Sequence, residues 1–257
     1  MTAIELTRTV PRLGGFNPTL LGTELKRLLR NRRTMIFTLL FPGVMLLAFG
    51  SQSNWNSSVG NGNVAAYIMV AMALYGAAMS AASTGASVAM DRALGWSRQL
   101  RLAPLRPAAY VATKSLCALA VGVLAVGVVN VVGVVQGRAQ MPVSVWLACG
   151  ALTVLSTLVF AALGVFVGYL VPGETAMQVL GPGLAALAFI GNVFIPIDPT
   201  SWLWTVSAFT PMFGVAEISR APLTGDLPWY AVANALGWLA VFVTGAAWRM
   251  SRDTGRV

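Results

Sequence analysis

Side chains that make or break bonds are sparse in this chain. It has no histidine, so neither a Ser–His nor a Cys–His nucleophile can be assembled, and no G-x-x-x-x-G-K-[ST] phosphate loop occurs. Cys117 and Cys149 each lie inside an apolar run without metal-ligand spacing, and read as small buried residues; neither a metal site nor a disulfide is expected. What remains is charge in short blocks. Glu24, Lys26, Arg27, Arg30, Arg32 and Arg33 form one block, Asp91, Arg92, Arg98 and Arg101 a second, and Glu217 with Arg220 an isolated pair. Such blocks meet lipid headgroups or a charged partner surface, so any energy the protein uses must arrive from elsewhere.

The elements that position these charges are dictated by apolar patterning. Hydrophobic residues make up 57% of the 257 positions and charged ones 10%, with a mean hydropathy of +0.74, far from the roughly one quarter charged of soluble domains. A membrane-crossing helix needs about 20 apolar residues. The chain accommodates six such stretches, near 34–50, 64–90, 110–135, 143–171, 176–195 and 229–248. The net charge of +9 does not point to nucleic acid, because the basic blocks abut apolar runs and hold no recognition motif.

Basic residues set the expected topology. Of seventeen Lys and Arg, seven precede the first stretch, five lie between Met90 and the interior of the third, and three follow the last; only Arg138 and Arg220 fall on the other side. Short basic loops stay cytoplasmic, so both termini and the 91–106 loop are expected there. The first apolar run sits behind a long basic segment with no small-residue cleavage site, and a cleaved signal peptide is not expected. The expected fold is all-α integral membrane, divided into a tail and amphipathic interfacial helix (1–33), a six-span domain (34–248) and a short tail (249–257).

Within that frame, Leu20, Leu21, Leu25, Leu28 and Leu29 recur at helical spacing, with Glu24, Lys26, Arg27 and Arg30 assigned to the opposite face of an interfacial helix. Gly181-Pro182-Gly183 suggests a bend in the fifth span. The segment 196–228 mixes aromatic and charged residues, and is expected to form short interfacial or re-entrant helices. Gly76, Ser80, Ser83, Thr84 and Ser87 form a small, polar stripe on the second span; it either packs helices closely within one protomer, packs against a partner in a dimer interface, or lines a path. Asn130, Gln178, Asn192 and Asn234 suit interhelical hydrogen bonds. Glu217 and Arg220, three apart, can pair on a helix as a local ion pair or act as an outer gate.

Two motifs place the chain beside a known family. Asp91, Arg92, Gly95, Leu100, Pro104 and Leu105 stand between spans two and three, with Tyr110 and Lys114 after them. Pro196, Pro199, Trp202, Leu203, Pro211, Glu217 and Arg220 stand between spans five and six. In order and spacing these resemble the permeases of type 2 ABC exporters, the class that includes daunorubicin-resistance and other drug, lipid and polysaccharide permeases. Asp91 stands where family members often have Glu, and Ala103 where they often have Thr.

The resemblance implies a separate cytoplasmic ATPase, in two copies, that carries ATP and Mg, with no cofactor on this chain. It implies a second permease copy or a related permease as partner. The loop between spans two and three would be a coupling helix in a groove of the ATPase, touching it through Asp91, Arg92, Gly95, Trp96, Arg98, Leu100, Arg101 and Pro104. Two other readings stay open from the residues: an ion-coupled carrier, which normally needs a charge near the midplane of a span, and an integral-membrane enzyme acting on lipid. A drug, lipid, peptide or glycan would all fit a mostly apolar path.

Overall fold

Asn17 starts the first helix: its side-chain oxygen accepts the Thr19 N–H at 2.9 Å, and α1 runs Pro18–Arg30 with proline in the first position, where a missing N–H costs nothing. The computed structural model describes residues 17–30, 36, 40–48, 55–94, 107–173 and 175–252. Glu24 departs from expectation. It is buried rather than on the watery face, because Leu20, Glu24 and Leu28 are four residues apart and so share one stripe.

Helix α2, Phe41–Ala48, lies within the first expected span. The connection between the first two expected spans holds a hairpin: β1 Ser58–Val59 pairs antiparallel with β2 Gly62–Asn63. Gly60 turns it at φ 52°, and a Cβ there would collide with the Leu223 carbonyl oxygen. Asn63 then caps α3, Val64–Ala93, by accepting the Ala66 N–H at 3.0 Å. α3 runs further than expected, so Asp91 and Arg92 belong to its last turn and not to the loop.

The remaining helices are α4 Pro107–Gln136, α5 Val143–Leu170, α6 Thr175–Ile190, α7 Trp202–Ala208, α8 Pro211–Thr224 and α9 Trp229–Arg252. Among the described residues, α3, α4, α5 and α9 are long and apolar enough to cross a membrane. The expected fifth span is shorter. α6 has 16 residues, about 24 Å of rise against a hydrocarbon core of about 30 Å. It runs through Pro182 and stops before Gly191 and Asn192, the latter at φ 61°. The short helices expected near 196–228 are α7 and α8. They differ in setting: α7 exposes Trp202, Leu203 and Val206, whereas Met212, Phe213, Val215 and Ala216 of α8 are fully buried.

Helix α3 is the centre of the bundle and is covered on nearly every face, chiefly by α5 and α4. Its seam with α5 is held close by glycine. A Cβ on Gly164 would strike the Ala82 carbonyl oxygen, and one on Gly85 the Ala161 carbonyl oxygen, so these backbones touch only because neither residue has a side chain. At the end remote from residues 95–106, the hairpin fastens neighbouring connections. Asn61 donates its N–H to Leu223 O at 2.7 Å and its amide to Pro222 O at 3.0 Å. Asn63 donates to Arg138 O at 2.8 Å and accepts from Gln140 N at 3.0 Å.

Candidate functional site

Three helices bring four charges together where α3 ends and α4 begins. Asp91 accepts from Arg27 of α1 at 2.8 Å through Oδ1. Through Oδ2 it accepts from Lys114 of α4 and from the Tyr110 hydroxyl, both at 2.8 Å. Lys114 Nζ also donates to Glu24 at 3.3 Å and to the Ser87 hydroxyl at 3.0 Å. Glu24 closes the ring with Arg27 at 3.5 Å. Two carboxylates face two cations, so the cluster is neutral as a whole.

Burial grades these contacts. The Lys114 and Asp91 side chains are 2% and 3% exposed and Glu24 8%, whereas Arg27 is 47% exposed. Removing one partner of a buried pair leaves an uncompensated charge and costs about 3–5 kcal/mol. The half-exposed arm to Arg27 contributes about 0–1 kcal/mol, as surface pairs do. Partial burial works against the Arg27 charge, but the hydrogen bond it donates to Asp91 and the charges of Asp91 and Glu24 outweigh it and raise its pKa.

Geometrically, the cluster is a joint. Asp91 precedes the segment 95–106, Tyr110 and Lys114 follow it, and Glu24 and Arg27 belong to the amphipathic helix. Arg92 fixes the same end of α3 to another helix: it donates to Gly168 O at 3.1 Å and Tyr169 O at 3.4 Å, with its guanidinium 5.0 Å from the Tyr169 ring centre. A cation at the α5 C-terminus also complements that helix's dipole. Lys26 and Arg30 are exposed on α1. Gly95, Trp96, Arg98, Leu100, Arg101 and Pro104, together with Arg32 and Arg33, lie outside the described residues.

At the far end, Arg220 and Glu217 do not pair with each other among the described residues; both hold Asn192 instead. Arg220 donates to Asn192 O at 2.7 Å, Val193 O at 2.9 Å and the Tyr67 hydroxyl at 2.8 Å, with its charge 4.1 Å from the Tyr67 ring centre. Glu217 accepts the Asn192 amide at 3.0 Å. The reason is position: a turn rising from α6 lies against this face of α8 and offers carbonyl oxygens to a guanidinium that is 1% exposed. Asn234 works similarly, donating to Ala208 O at 2.7 Å and accepting from Gly214 N at 3.3 Å.

The stripe on α3 is divided. Gly76, Ser80, Thr84 and Ser87 are buried and Ser83 is half-buried. Ser80, Thr84 and Ser87 donate their hydroxyls to carbonyls of the preceding turn, of Ala77, Ser80 and Thr84, at 2.7–2.8 Å. Ser87 in addition holds Lys114 and so belongs to the charge cluster. Sequence reading gave Lys114 and Tyr110 no role of their own. The available signal was an ionisable side chain inside an apolar stretch, which marks a functional site by default.

Residues 49–248 match the family model described as ABC-2 family transporter protein. The chain is 25% identical over 225 residues, 86% of its own length and 91% of the relative's, to "Putative transport permease YvfS" of Bacillus subtilis (strain 168).

Proposed function

The chain belongs to the ABC-2 transporter family, as a membrane permease subunit that hydrolyses no ATP itself and relies on a separate ATPase partner, and from this we propose that it exports an amphipathic or hydrophobic substrate such as a drug, antibiotic or lipid. Transport runs outward across a bacterial inner membrane. The permease has six spans, both termini in the cytoplasm and two ATPase copies that carry ATP and Mg. A second permease copy, or a related permease, completes the path. Family membership sets aside the ion-coupled carrier and the lipid-modifying enzyme.

The observation that supports coupling most directly is the charge cluster at both feet of the 95–106 segment. A push on that segment by the ATPase reaches Asp91 on one side and Lys114 on the other, and through them the helix carrying Glu24 and Arg27. In this reading Asp91 anchors the coupling helix from inside, while Trp96, Arg98 and Arg101 meet the ATPase. Glu217 and Arg220, holding Asn192 between them, form the outer gate.

Reconstitution of the chain with its copurifying ATPase tests the reading. ATP should drive accumulation of a lipophilic dye inside inside-out vesicles, and the permease alone should hydrolyse none. Equal accumulation without ATP, driven by an ion gradient, would overturn it.

A further inference from the structure

We propose that the cleft between α4 and α9, at the end of the bundle that carries residues 95–106, binds one acyl chain of a membrane lipid. Both helices pack on α5 but barely on each other, which leaves a cavity of about 240 Å³ with α5 as its floor. The rims are open, since Val111 on α4 and Val243 on α9 are exposed. The lining is almost wholly hydrocarbon. Lys114 contributes only its methylene stem, because its ammonium is engaged by Glu24, Asp91 and Ser87.

Three properties select the occupant. An apolar cavity of this size does not hold water well, since a water needs two or more polar partners. Left empty, its walls lose dispersion contacts along the whole length. Along α5 the cleft runs from Leu158 to Tyr169, eleven residues or about 16 Å of helix rise, and half of a hydrocarbon core is about 15 Å. One leaflet's chain region and the cleft therefore match in length. The walls belong to membrane-crossing helices, so the molecule next to the opening is lipid. The inference rests on the chain spanning a membrane and is independent of what is exported. Through Lys114 the occupant touches the residue that holds one foot of the 95–106 segment.

The test uses the full chain in vesicles of phosphatidylethanolamine and phosphatidylglycerol doped with a phospholipid bearing a photoreactive diazirine midway along one chain. Lipid adducts should concentrate at Ala162, Val165 and Leu239, above the level on the outward ridge of Val131, Val134 and Val135. Ala162→Trp, and separately Ala247→Trp from the opposite wall, should abolish that excess and leave ridge labelling unchanged, which also reports a folded protein. Adducts no denser in the cleft than on the ridge, or indifferent to both substitutions, would overturn the proposal. So would a benzophenone at Val243 that crosslinks to a second copy of the chain in place of lipid.

Discussion

Lys114 Nζ lies 2.8 Å from Asp91 Oδ2, and residues 95–106 fall between these two in the sequence. A buried ion pair thus joins the end of α3 to the start of α4. Any displacement of one helix end must either carry the other with it or separate two charges in a poorly hydrated site, and the second course is expensive.

The first expectation follows from that cost. Lys114→Ala should destabilise the permease by about 3–5 kcal/mol by removing the buried cation and leaving Asp91 and Glu24 to share the half-exposed Arg27, while Arg27→Ala should cost about 0–1 kcal/mol because that arm is half exposed. Lys114→Met combined with Asp91→Leu should recover most of the loss in thermal unfolding yet still impair ATP-driven transport. A double variant as unstable as Lys114→Ala would show that the pair is not self-compensating.

Close approach of α3 and α5 gives a second. Gly164→Ala places a methyl group against the Ala82 carbonyl oxygen, and overpacking of this kind costs about 1–3 kcal/mol. The melting temperature of the purified chain should fall accordingly. Gly183→Ala is the control, because nothing lies near a Cβ there. Equal melting temperatures for the two variants would mean that the seam relaxes freely.

Asn192 separates backbone from side-chain effects. Asn192→Gly keeps φ 61° accessible but removes the bonds to Glu217 and to the Ile197 N–H. Asn192→Ala removes the same bonds and adds a left-handed strain of about 1–2 kcal/mol. Unfolding should therefore rank wild type above Asn192→Gly above Asn192→Ala. If the far-end clasp is the outer gate, a cysteine at Val193 in a background lacking Cys117 and Cys149 should react faster with an impermeant reagent in both variants. Unchanged reactivity would remove Asn192 from the gate.

The segment 95–106 carries a fourth. Trp96→Ala with Arg98→Glu and Arg101→Glu should remove an anchor and reverse the charge presented to the ATPase. Export and substrate-stimulated ATP hydrolysis should both be lost, with the protein still inserted. Full export by the triple variant would mean that the segment only connects two helices.

Several features were legible in the residues alone, because they depend on periodicity and local chemistry. Apolar stretch length marked the helices now seen as α3, α4, α5 and α9, the recurrence of Leu20, Leu21, Leu25, Leu28 and Leu29 marked α1, and the position of α7 and α8 followed from interrupted apolarity near 196–228. Family resemblance, too, was carried by motif order and is supported by the match over residues 49–248.

Contacts between distant residues could be decided only by tertiary structure. Glu24 and Lys114 are 90 positions apart, and no pattern in either segment names the other as its partner. Arg220 looked like a partner for Glu217 three residues away, but the turn at Asn192 supplies nearer oxygens once α6 lies against α8. Helical spacing says which side chains share a face; which neighbour meets that face is set by how the helices pack, and here glycines at 85 and 164 bring α5 onto α3 and thereby place everything else.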